Sequence, residues 1–175
     1  LSTRGADPLR WWMFHQGSPW TPTRTSLAAI DSSTQAMPLT LWNLWSFYTT
    51  YAGLNGFDAT DPAVPPPSAR PELDRWALSR LNSCLAEVTA RLDDYRPLEA
   101  AQAIDELVDD LSNWYVRRSR RRFWKTDPAL GPADSLAAQA TLHECLTVVT
   151  LMLAPFCPFF ADAIFLDLAL SLIHI

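Results

Sequence analysis

Proline placement constrains this chain most. Apolar residues recur at helical spacing over several stretches, and proline stands at the start of each. Fourteen prolines against five glycines in 175 residues describe helices broken at chosen places. They argue against a glycine-rich phosphate-binding turn. No alternating strand pattern of useful length and no fixed-period repeat accompanies them. The fold class expected is all-α, an antiparallel helical bundle preceded by a short helical element.

The pattern gives boundaries. Asp7 as N-cap and Pro8 at the first helical position predict a short helix through Leu9, Trp12 and Met13, ended by Gly17-Ser18-Pro19. Leu41, Trp45, Tyr48 and Ala52 predict a helix over 39–52 with Gly53 at its C-terminal cap. Asp31-Ser32-Ser33 and Pro38 break the pattern upstream of it. Residues 55–71 hold five prolines and read as an extended, stiff linker. Leu73, Ala77, Leu81, Cys84, Leu85, Val88 and Leu92 form one stripe of a helix over 71–93. Tyr95-Arg96-Pro97 is a tight junction before the longest helix, expected to run without interruption over 97–124. Asp134 is expected to cap a helix reaching Leu153. Pro155 and Pro158 then bend the chain into a last helix over 159–169.

At 175 residues and 19.7 kDa, with 49% hydrophobic and 19% charged residues, the chain can bury a core and is not disordered. Three cysteines exclude a disulfide scaffold and fit a reducing compartment. The longest uncharged run, Cys145–Ala161, contains two prolines and reads as a buried core helix, not a membrane span.

Catalytic and metal signals are missing. His15, His143 and His174 are far apart, and no CxxC pair occurs. Neighbouring helical residues point about 100° apart, so His143 and Cys145 do not make a nucleophile–base pair. Asp93-Asp94 and Asp109-Asp110 read as solvated helix faces. The candidate catalytic and metal sets are therefore empty.

The informative segment is Arg117–Lys125. It carries six cations and no acid, whereas the remaining residues carry eight cations against 19 acids. The net charge of −5 and sequence pI near 5.0 hide this asymmetry. Macrodipole complementation accounts for one or two cations at a helix end, not six. On a straight helix Ile104, Leu111 and Tyr115 share a face that continues into Arg118 and Arg122, with Arg117 and Arg121 on a flank. The expected binding residues for nucleic acid are Arg117, Arg118, Arg121, Arg122, Trp124 and Lys125. Trp114 is expected in the core, although Trp114, Phe123 and Trp124 are all of a type that stacks on bases.

Leu111–Trp124 resembles the anticodon-binding helical domain of class I aminoacyl-tRNA synthetases, in particular the isoleucyl kind within the isoleucyl, valyl and leucyl group. Other matches follow in order. Gly5-Ala6-Asp7-Pro8-Leu9-Arg10-Trp11 resembles the helix after the family's KMSKS loop, and Gly17-Ser18-Pro19-Trp20 follows it. Leu41-Trp42-Asn43 with Phe47–Ala52, Leu73-Asp74-Arg75-Trp76, and Leu153-Ala154-Pro155-Phe156-Cys157-Pro158-Phe159 complete the series. Together they cover about residues 3 to 169. The HIGH and KMSKS signatures do not occur, and Ser171–Ile175 matches nothing in the family.

The resemblance implies a piece of a longer cytoplasmic ligase. Residues 1–24 would end its catalytic and stem-contact region, 25–170 would form the anticodon-binding bundle, and 171–175 would be a non-native tail. The parent would use ATP and magnesium to activate isoleucine and transfer it to its tRNA. This piece would be inactive alone and contribute docking to the isoleucine-specific tRNA and to the parent's own catalytic domain, with no membrane involved. The same domain of a valyl or leucyl enzyme, or a stand-alone helical protein-interaction domain, are the alternatives at this point.

Overall fold

The computed structural model describes residues 5–17, 20–22, 24–124 and 131–171. Its helices are α1 (Asp7–His15), α2 (Leu27–Gln35), α3 (Met37–Asn55), α4 (Glu72–Asp93), α5 (Pro97–Asp109), the single turn α6 (Arg117–Ser119), α7 (Pro132–Leu153) and α8 (Pro158–Ser171). No strand occurs among the described residues. α5 folds back along α4, α7 packs on both, and α1, α3 and α8 close the remaining sides. Leu41, Leu44 and Tyr48 from α3, Leu81 and Val88 from α4, Ile104 and Leu107 from α5, and Leu142, Leu146 and Val149 from α7 share one buried core. α7 is long and apolar enough to cross a bilayer, but 67% of its most apolar stretch is buried inside the bundle. In the α4 stripe, Leu85 stands at the edge and is exposed.

The helix ends differ from the sequence expectation in instructive ways. Ala6 is the N-cap of α1 and makes no side-chain cap. The Asp7 carboxylate turns to the far end of the chain, where Oδ2 accepts the Phe160 backbone N–H at 2.6 Å in the first turn of α8. Arg10 reinforces this closure by donating to the carbonyls of Phe156 and Pro155 at 3.0 and 2.7 Å. α3 continues past Gly53 and ends at Gly56, whose φ of +59° supplies the left-handed cap. Gly131, not Asp134, is the N-cap of α7. α2 and α3 part at Ala36, ahead of Pro38.

The proline-rich segment 56–71 is not simply extended. Asp58 and Asp61 fold it locally by accepting the backbone N–H of Thr60 and Ala63, both at 2.8 Å. A 3₁₀ turn covers Pro67–Ala69. Arg70 then anchors it. Its buried guanidinium donates to Pro65 O, Thr141 Oγ1 and Glu144 Oε1.

The helix expected over 97–124 is helical throughout but not uniform. α5 ends at Asp109, a π-helical stretch follows over Asp110–Val116, then α6, then a 3₁₀ turn over Arg120–Phe123. The wider i→i+5 turns shift the buried face by one position. Ser119 and Phe123 therefore point inward, and Arg118 leaves the face of Tyr115.

At the α4–α5 junction Tyr95 has φ +58° and is 86% exposed. A side chain in this region costs about 1–2 kcal/mol, which glycine avoids. Tyr95→Gly is expected to raise stability by about 0.5–1 kcal/mol after the entropy of the unfolded glycine is subtracted. Thermal unfolding followed by circular dichroism checks this.

Candidate nucleic-acid interface

The register shift decides which cations face solvent. Arg117, Arg118, Arg120 and Arg121 are all exposed, and among the described residues none of the four pairs with a carboxylate. The Arg118 guanidinium carbon lies over the Trp114 ring, 4.5 Å from its centroid. Trp114 is 48% exposed and packs at a tilt on Trp76. This corrects the expected core position of Trp114, because the π stretch rotates it outward. Phe123 is completely buried against Phe47 and is not available to stack on a base. Trp124 is partly exposed, and its indole N–H donates to the Tyr51 hydroxyl at 3.1 Å. Lys125 lies outside the described residues.

Arg122 belongs to a different environment. Its side chain is 10% exposed, and that of Asp74 is completely buried. The two guanidinium NH groups donate to both Asp74 oxygens at 2.6 and 2.7 Å. Nε donates to Asp134 Oδ2 at 2.9 Å. The Tyr115 hydroxyl donates to the same Asp74 Oδ1 at 2.7 Å. Burial, then the Asp74 charge, push the Tyr115 phenol well above its ordinary range. Against burial, the bonds to Asp74 and Asp134 hold Arg122 firmly protonated. Arg122 thus takes the internal pairing that its alignment with Tyr115 allows, in place of the direct nucleic-acid contact expected of it. Asp74 is absent from the sequence-derived site. Its signal was an acid on the apolar stripe with Ala77, Leu78 and Leu81.

Acids crowd the other side of the boundary. Asp105, Glu106, Asp109 and Asp110 line one shallow depression with Arg80, which pairs with Asp110 at 2.8 Å. One helical run therefore passes from acidic to basic over the π stretch.

The His143-Glu144-Cys145 triplet is structural. His143 Nδ1 lies 2.9 Å from the Tyr48 hydroxyl, and Cys145 is fully buried. All three cysteines are free and buried. Burial raises the Cys84 thiol to about 11 and that of Cys157 to about 12, so neither is a nucleophile near neutrality.

The anticodon-binding domain family of tRNA ligases matches residues 74–173, beginning at Asp74. The chain belongs to this family. Isoleucine–tRNA ligase of Thermus thermophilus is 44% identical over 168 residues, 95% of this chain and 16% of that protein. The Deinococcus radiodurans ligase of the same name is 46% identical over 166 residues, 94% of the chain and 15% of the relative. That of Thermobifida fusca is 44% identical over 164 residues, with 93% and 15% covered. The chain spans about a sixth of the length of these relatives. In this anticodon-binding domain the exposed arginines stand on the part that the family match covers.

Two outcomes follow from this geometry. Arg122→Gln leaves Asp74 buried without its cation and should cost about 3–5 kcal/mol. Arg117→Gln at the surface should stay within about 0.5 kcal/mol of the parent; urea unfolding compares them. Burial holds the His143 imidazole below its ordinary value, against the pull of Glu144. The unfolded chain takes up that proton below about pH 6.5 and the folded chain resists it. Stability should therefore fall as the pH drops from 7 to 5, with a smaller fall in His143→Gln, as read from Tm at each pH.

Proposed function

We propose that this chain is the tRNA-docking part of an isoleucine–tRNA ligase. The observation that carries the reading is the set of exposed arginines Arg117, Arg118, Arg120 and Arg121, none paired with a carboxylate among the described residues, on a body that is otherwise acidic. Such a distribution attracts a phosphate backbone at one end and repels it elsewhere. The names of the relatives favour isoleucine over valine or leucine as the amino acid of the parent. The family match favours RNA docking over a stand-alone protein-interaction role. Trp114 and Trp124 flank the cations and offer stacking surfaces for unpaired bases. Arg122 contributes to this surface only indirectly.

The parent would activate isoleucine with ATP and magnesium in the cytoplasm and pass it to its tRNA. A hydrophobic pocket separates isoleucine from valine by only about 1–3 kcal/mol, so discrimination there would need a second, editing step. No group of three His, Cys, Asp or Glu side chains arranged to hold a metal ion occurs among the described residues, and the sequence has no glycine-rich phosphate-binding motif. The chain's own part would be binding, with docking to the parent's catalytic region beside it and no chemistry of its own. The buried free thiols fit a reducing compartment.

Filter binding to an isoleucine-tRNA transcript at several salt concentrations tests the reading. Arg117→Gln and Arg121→Gln should each weaken binding and lower the log–log salt slope by roughly 0.7–0.9, with Tm unchanged. If single Gln variants at Arg117, Arg118, Arg120 and Arg121 all keep the affinity and slope of the parent, the arginine row is not an RNA surface.

A further inference from the structure

We infer that Asp74 and Asp134, acting through Arg122, and Tyr115, acting through Asp74, are positioning residues for RNA docking that set the direction in which Arg117, Arg118, Arg120 and Arg121 leave the bundle. This rests on the docking reading above and adds the device that makes the arginine row a defined surface.

The connectivity carries the inference. One buried carboxylate, Asp74 on the first turn of α4, holds two points of the neighbouring helical run. Its Oδ1 accepts from the Tyr115 hydroxyl at 2.7 Å, inside the π stretch. Its two oxygens together accept the Arg122 fork at 2.6 and 2.7 Å, inside the 3₁₀ turn. Every exposed arginine of the row lies between those two points. Asp134, in the first turn of α7, takes the remaining edge of the guanidinium through Oδ2 at 2.9 Å and its own carbonyl at 3.2 Å. The bracketed stretch is thus fixed from two other helices.

Local structure alone does not fix it. The run changes from α to π to α to 3₁₀ within fourteen residues, Asp110–Phe123. A change of winding rotates every later side chain about the axis, and π and 3₁₀ turns hold their shape less well than α turns. The direction of four long side chains would therefore drift without outside ties. Asp74 and Asp134 supply them.

The choice of groups points the same way. A buried ion pair is a poor stabiliser compared with apolar residues of similar volume, because both charges lose their water. What a bidentate fork supplies is orientation. Arg122 also adds little to the outward field, since two carboxylates face it. Its value lies in where it holds its neighbours.

The test keeps the charge and removes the fork. Arg122→Lys retains a cation, which would serve equally at a phosphate, but a lysine cannot bridge both Asp74 oxygens with fixed geometry. Tyr115→Phe removes only the hydroxyl and serves if the lysine variant does not fold. Each is placed in the parent chain and in an Arg117→Gln/Arg121→Gln chain, and binding to the isoleucine-tRNA transcript is measured well below Tm. In the parent background Arg122→Lys should weaken binding about three- to tenfold and make the salt slope shallower, with Tyr115→Phe changing both in the same direction. In the double-Gln background both should have less than half that effect on the logarithm of affinity, because two of the four side chains they position are gone. Folded variants with unchanged affinity and slope in the parent background overturn the inference, as does an equal loss in both backgrounds. If the double-Gln chain itself binds like the parent, the docking reading falls, and this inference with it.

Discussion

The pairing of Arg122 with Asp74 is the interaction on which the basic end of this molecule depends. It joins the start of α4 to the end of the helical run that follows α5, and Asp134 extends it to the start of α7. Three of the principal helices of the bundle therefore meet at one guanidinium. The surrounding core is apolar and non-directional, built from Ile104, Leu107, Leu111, Leu142 and Leu146. Apolar packing specifies that the helices associate. The buried polar group specifies how far each has turned about its own axis when they do.

Other long-range polar contacts tie further segments together. Arg70 pins the proline-rich segment to Thr141 and Glu144 on α7. Asn55 donates to the Phe123 carbonyl at 3.0 Å, where the chain leaves its last 3₁₀ turn. Trp45 donates to Asp167 on α8. Some of these bonds serve helix ends and others, such as Trp45 to Asp167 and Tyr48 with His143, join helix interiors.

Helix existence was legible because apolar spacing and proline placement agree, as in the Leu73–Leu92 stripe and the prolines before α4, α5 and α7. The all-α class and the family resemblance follow from that agreement and from motifs in order. Caps were less legible, because capping depends on which side chain reaches an N–H in space. Asp7 reads as the cap of α1 in the sequence, but it is the first residue of that helix and caps α8 instead. The cationic segment was legible as a patch, but the sorting of its members was not. A straight helical wheel puts Arg118 with Tyr115, and the π stretch separates them. No local composition announces a π turn, and the partner that Tyr115 and Arg122 share, Asp74, lies 41 and 48 residues away in sequence.

The bond between Asp7 and the first turn of α8 ties together groups 153 residues apart. The last helix of this chain is capped by the first, and Trp11, Leu41, Leu44 and Tyr48 stand in the same core as α7 and α8. Residues inside the family's span, 74–173, therefore share their core with residues outside it. Closing a loop of this length carries an entropic cost that the contacts at its two ends must offset. A gene trimmed to the family boundary would yield helices that keep their sequence signature but lack one wall of their core.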